Sequence, residues 1–139
     1  MNHKIITVKD IPLSVEIADT QESRQQGLMH RNHLEQGSGM LFIFDDSQPR
    51  GFWMKDTSIP LSIAFISDTG EILNIENMYP YDSGTTRSNG PARCALEVNQ
   101  GWFRNNGIHS GDKVNQTLNE SFYITKRQIG DILKRIVLG

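Results

Sequence analysis

Roughly six to eight short strands and few helices make this chain read as a mainly-β protein: a single β-sandwich or jelly-roll-like barrel with short helices and an added C-terminal amphipathic helix. Three observations predict it. Leu13, Val15 and Ile17 alternate with Ser14, Glu16 and Ala18, the period-two pattern of a half-buried strand. Residues 40–44 (MLFIF) form a continuous apolar run, short enough for a strand buried on both faces. Leu61–Ser67 and Glu71–Asn77 flank Asp68-Thr69-Gly70, a hairpin signal with glycine where positive φ is wanted.

The remaining elements follow in chain order. Met1–Asp10 carries Lys4 early, but Ile5, Ile6 and Val8 are interrupted by Thr7 and closed by Lys9. That is too short and polar for the roughly 7–15 apolar residues of an export signal. The expectation is a cytoplasmic protein, with a periplasmic or exported location if a leader has been removed. After the Leu13–Ala18 strand, Asp19 and Glu22 suggest a capping box for a short helix from about Thr20 to Gln26, ended by Gly27. Leu28–Ser38 reads as a loop, and Asp45–Arg50, with Pro49, as a turn. A strand opens at Phe52-Trp53-Met54 and is halted before Pro60. Tyr79–Pro91 reads as a long loop and Ala92–Val98 as a strand. Asn99–Asn106 reads as one or two helical turns, and Asp112–Leu118 as a last strand. Ile129, Ile132, Leu133, Ile136 and Val137 then recur at helical spacing, giving an amphipathic helix over about 125–138. The domain is accordingly placed at 1–118 and the helical extension at 119–139.

Composition removes several classes. The chain has 139 residues, 37% hydrophobic and 22% charged, so it is neither disordered nor built of membrane-spanning segments. Cys94 is the one cysteine, which excludes an intramolecular disulfide and a cysteine-based zinc site. A formal charge of −2 offers no case for nucleic-acid binding. The charge is unevenly spread: residues 1–83 hold 12 acids and 6 bases, and residues 84–139 hold 4 acids and 8 bases. Half of those eight bases, Lys126, Arg127, Lys134 and Arg135, lie in the tail.

Three segments carry a family resemblance. They are EIADTQESRQQGLMHR within Val15–Arg31, GMLFIF followed by FWMKDTSIPLSIAF within Gly39–Phe65, and GPARCALEV with GW and GIHSGDKV within Gly90–Val114. In order and spacing they resemble the bacterial and archaeal family catalogued as domain of unknown function 192, over about residues 13–115. The resemblance implies a mainly-β fold of sandwich or jelly-roll type, and no activity, cofactor or catalytic residue. Ser62 stands where relatives usually have an acidic residue.

The candidate chemistry is narrow. His30 and His33 are three apart but follow Gly27 in an expected loop, without the spacing of a zinc site, so no metal or cofactor is expected. Cys94 reads as a buried core residue. The best constellation is polar and aromatic: Arg24, Arg31, Trp53, Lys55, Thr57 and Arg93. In a strand Trp53, Lys55 and Thr57 share one face, and an indole beside guanidinium groups suits a sugar or a carboxylate. Tyr81 and Arg87 in the long loop would rim such a cleft. The leading reading is therefore a non-catalytic binding module for a small polar or anionic ligand. One alternative is a hydrolase-type enzyme using Glu16 and Glu97, which would require the two acids to face each other. Another is an interaction module, homodimeric or self-docking, acting through the C-terminal helix.

Overall fold

The computed structural model, which describes residues 3–115, begins with a hairpin. β1 (His3–Val8) runs antiparallel to β2 (Ile11–Ala18), with Val8 opposite Ile11. Lys9 and Asp10 between them both take positive φ, 49° and 70°. Two left-handed residues are what a two-residue type I′ turn needs, although non-glycine residues seldom supply them. The turn is tied down from far along the chain: Lys9 N donates to Lys113 O at 2.9 Å, and Lys9 Nζ to Gly107 O at 2.9 Å. The segment read as too short and polar for an export signal is a strand, with Ile6 and Val8 turned into the core.

β2 leads to α1 (Gln21–Gln26), capped one residue later than expected. Thr20 Oγ1 accepts from Ser23 N and Ser23 Oγ accepts from Thr20 N, each at 3.0 Å, so Thr20 and Ser23 form the box in place of Asp19 and Glu22. Gly27 ends the helix at φ 50°. This helix and the following loop are the crossover that lets β3 (Ser38–Gln48) lie parallel to β2. β3 outruns the MLFIF stretch and passes through the segment expected to turn at Asp45, with its register broken between Ile43 and Gln48.

The strand expected from Phe52 towards Pro60 ends almost at once. β4 is Gly51–Phe52, and the chain then turns at Lys55-Asp56, where Asp56 has φ 53°. β5 (Leu61–Ile66) and β6 (Ile72–Met78) form the expected hairpin, closed by Ser67 N to Glu71 O at 2.9 Å with Gly70 at φ 86°. The long loop contains a short strand, β7 (Thr86–Arg87), which pairs with β4. β8 (Ala92–Asn99), α2 (Trp102–Asn105) and β9 (Val114–Asn115) complete the described chain.

Seven strands form one sheet in the order β6-β5-β8-β3-β2-β1-β9, beside the β4–β7 ribbon. The sheet curls into a half-barrel. Its two ends approach each other, because Ile72 N donates to Asp112 O at 2.9 Å and Val114 N to Gly70 O at 2.8 Å. The mainly-β expectation holds; the strand pairing gives one continuous curled sheet rather than the two facing sheets of a sandwich. Both sheet faces are nevertheless buried. Side chains from all seven strands, among them Val8, Leu13, Leu41, Ile66, Ile72, Leu96 and Val114, meet inside the curl with Phe103 and Ile108. On the outer face, Met40, Phe42, Leu61, Ile63, Phe65 and Ala95 are covered by Leu28, Leu34, Met54 and Ile59. Double coverage explains why every residue of β5 is buried. Each large apolar side chain so covered contributes roughly 1.5–3 kcal/mol.

Cys94 lies in the inner core, as expected of a small apolar-like residue. Ser62 is buried too, its Oγ donating to Asn77 Oδ1 and accepting from Gly101 N, each at 3.0 Å. A hydroxyl serves that bridging role, so this position needs no carboxylate here. The C-terminal helix and the dimer or self-docking role given to it lie outside the described residues. Among the described residues, no helix is long and apolar enough to cross a membrane.

Candidate functional site

The site begins with the alternation of β8. Cys94, Leu96 and Val98 face the inner core, so Ala95 and Glu97 face outward. Glu97 is opposite Met40 of β3 on one side and Ile63 of β5 on the other. It is 4% exposed, and among the described residues no ion pair or side-chain hydrogen bond engages its carboxyl. Burial among apolar neighbours disfavours the charged form and pushes its pKa up to about 8.

A cavity of about 450 Å³ opens above Glu97. α1 and the Gly27–Met29 turn form one wall; Phe42 and Phe44 of β3 with Phe52 and Met54 form the other. Gly27 permits the close approach of the two walls. Its φ is left-handed, and a Cβ there would lie 3.3 Å from the Phe42 ring. The aromatic wall is built edge to face, with Phe52 centroids 4.9 Å from Phe42, 6.3 Å from Phe44 and 5.8 Å from Phe65. Edge-to-face stacking of this kind holds rings in fixed orientations.

Two guanidinium groups stand over the Phe44 ring at the mouth, Arg50 at 3.8 Å and Arg24 at 5.2 Å. They differ in what they have left to offer. Arg50 Nε donates to Ala92 O at 3.0 Å, and its Nη2 donates to both the Asp46 carbonyl and the Asp46 carboxylate, the latter at 2.8 Å. Arg24 Nη1 donates to Ile43 O at 2.9 Å, and among the described residues Arg24 has no ion pair. Most of its five donors remain available.

The residues singled out from sequence separate into five places. Arg24, Trp53, Thr57 and Glu97 line the cavity. Thr57 is buried there rather than sharing a face with Trp53 and Lys55, because the chain turns at Asp56 instead of continuing as a strand. Trp53 is 54% exposed, with Lys55 Nζ 5.4 Å from its ring. These two form an outer groove with Tyr81, which is 65% exposed, so Tyr81 does not rim the main cavity.

Arg31 is bound to Glu16 through two hydrogen bonds of 2.5 and 2.9 Å. That fork holds the Glu16 carboxyl below the usual carboxylate range and raises Arg31. Arg93 Nε donates to Phe44 O at 2.6 Å, a structural tie behind the aromatic wall. Arg87 belongs to the β4–β7 ribbon, opposite Gly51. Glu16 and Glu97 do not form a facing pair: Met40 stands between them in register, and Arg31 occupies Glu16. His30 and His33 also part company. His30 N binds Asp56 O, and the His33 ring meets Glu35 at 3.1 Å. Among the described residues no three His, Cys, Asp or Glu side chains gather as cation ligands would.

Sequence reasoning missed the wall itself: Phe42, Phe44, Arg50, Phe52 and Met54. The signal available was the aromatic spacing in LFIF and GFW, which places three phenylalanines on two strands consecutive in the chain, β3 and β4.

The family model DUF192, described as "Uncharacterized ACR", matches residues 4–116. The chain belongs to the DUF192 family. A conjectured transcription regulator from Sinorhizobium meliloti 1021 has a crystal structure similar to this DUF192 chain. It is 33% identical, with a TM-score of 0.78, covering 81% of this chain and 92% of that one. A protein of unknown function from Novosphingobium aromaticivorans DSM 12444 is 34% identical with a TM-score of 0.74, covering 81% of this chain and 83% of that one. No protein of curated function matches the DUF192 chain significantly.

Proposed function

We propose that this DUF192 domain is a non-catalytic binding module for a small polar or anionic ligand, seated in the cavity above Glu97. The observation that carries the reading is Glu97 itself. A carboxyl 4% exposed, unpaired among the described residues and lining an open cavity is costly to keep. A ligand that hydrogen-bonds to it offsets that cost. The walls supply apolar contact, and the mouth supplies positive charge at Arg24, the combination of apolar lining and few polar groups typical of small-molecule pockets.

The binding reading is preferred to hydrolysis because the second acid that hydrolysis would need, Glu16, is held by Arg31 two strands away. Lys55, Tyr81 and the outer groove are proposed as an accessory surface beside the ligand, and Arg31, Arg93 and Arg87 as structural residues.

The test is a thermal-shift screen against sugars, carboxylates and phosphates. The expected result is a raised Tm with at least one anionic or hydroxylated compound. That shift should vanish in Gln25→Trp, which fills the mouth from an exposed position on α1. A shift that survives this substitution places the ligand elsewhere and overturns the reading.

A further inference from the structure

Resting on that reading of the pocket, we infer that its ligand is an amphipathic anion bound end-on. Its negative group meets Arg24, its apolar body lies against Phe44, Phe52 and Met54, and a hydrogen-bond acceptor at its far end meets Glu97. The two ends of the cavity differ in kind. At the mouth, Arg50 is already bound to Asp46 and Ala92, whereas Arg24 keeps most of its donors. A cationic ligand would meet two guanidinium groups there.

At the floor, the protonated carboxyl of Glu97 has one O–H to donate. A ligand ending in a methyl group would bury that donor unmatched, and one ending in a carbonyl or carboxylate oxygen would satisfy it. Burial keeps the proton on Glu97 up to about pH 8, so the donor is present at neutral pH.

The surroundings isolate this group. α1 contributes Arg24, and the segment after β3 contributes Arg50. β5 presents Leu61 and Ile63, and β3 presents Met40, none of which titrates. Arg93, four residues back on β8, is tied to Phe44 O, and Glu16 on β2 is tied to Arg31. The arginines stay charged throughout the accessible range, leaving Glu97 as the cavity group that changes between pH 6.5 and 9.5.

Calorimetric titration of the full chain with three probes of one size tests the inference. They are 4-acetylbenzoate, 4-isopropylbenzoate, which replaces the acceptor oxygen by methyl, and 4-methylacetophenone, which replaces the carboxylate by methyl. At pH 6.5 the acetyl acid should bind about tenfold more tightly than the isopropyl acid, and this preference should disappear at pH 9.5. Glu97→Gln keeps a donor and should keep the preference at both pH values. Arg24→Gln should weaken both acids about equally.

The pH comparison uses the unaltered chain, so it decides even if a variant fails to fold. Equal binding of the two acids with a flat pH profile overturns the inference and leaves the binding pocket standing. A neutral ketone that binds as tightly as the acetyl acid overturns the role of Arg24. Absence of binding by all three overturns the inference, and the pocket then rests on the broader ligand screen.

Discussion

Glu16 and Glu97 stand on the same face of the sheet, each in register with Met40, yet their surroundings drive their carboxyls in opposite directions. Arg31 holds Glu16 ionised, and apolar burial holds Glu97 protonated. A separation of about two strand spacings, roughly 10 Å, divides a structural ion pair from the floor of a cavity.

The raised pKa of Glu97 gives stability a defined pH dependence. The native state holds a proton that the unfolded chain releases above about 4.5, so this contribution is complete below that value. It is lost as pH rises through about 8 and is constant beyond. Urea unfolding at pH 5, 6.5 and 9 should show stability falling across the window by on the order of a few kcal/mol. Glu97→Gln, which does not titrate, should flatten the profile. Parallel profiles for the two proteins would contradict the assignment.

Arg31→Met strands Glu16 without its bidentate partner and should cost about 1–3 kcal/mol at pH 7. Because the Glu16 pKa is lowered, the pair contributes above about 4.5 and fades as pH falls below it. The difference between variant and parent in chemical denaturation should therefore shrink at pH 3.

Gly39→Ala should destabilise by about 2 kcal/mol or more. A Cβ there would lie 2.6 Å from the backbone oxygen of Glu97 and 3.0 Å from Val98 Cγ1, and neither sheet backbone can retreat freely. Gly90→Ala, with nothing within 4 Å, is the matched control and should change Tm little.

Thr20→Ala removes the acceptor that caps α1 and should cost about 1 kcal/mol. Hydrogen exchange should report faster opening of the first turn of α1. Pocket ligands should bind more weakly in step, because α1 forms one wall of the cavity.

Trp53→Ala should leave stability within about 0.5 kcal/mol, since the side chain is more than half exposed. It should weaken ligand binding, because the indole forms part of the cavity rim. A large loss of Tm would mean that Trp53 supports the core.

Much of the sheet was legible where local pattern and burial agree. β2, β5, β6 and β8 carry their facing in alternation or continuous apolar runs, and α1 carries its stop in Gly27. β1 escaped because its turn is Lys9-Asp10, which adopts the required left-handed pair without the Asn-Gly or Asp-Gly signal. β7 escaped because two residues have no periodicity. The site was legible residue by residue and illegible as a set. Arg24, Trp53, Thr57 and Glu97 were nameable, but Arg31 and Arg93 carry the same charge and differ only in the partners that tertiary packing gives them. Glu97 ranked second from sequence because its partnerless burial depends on Met40 and Ile63 from distant strands.

The meeting of residues 70–72 with residues 111–114 has a kinetic meaning. Lys9 reaches Gly107 across 98 residues of sequence, and β9 finds β1 across a similar span. Such contacts raise contact order and slow folding relative to local hairpins. The β1–β2 and β5–β6 hairpins can form early, while Ile6, Val8 and Val114 stay wet until the curl closes. A chain cut before Val114 would lose the β1–β9 pairing and the Val114 side chain from the inner core, so Val8 should become more open to water.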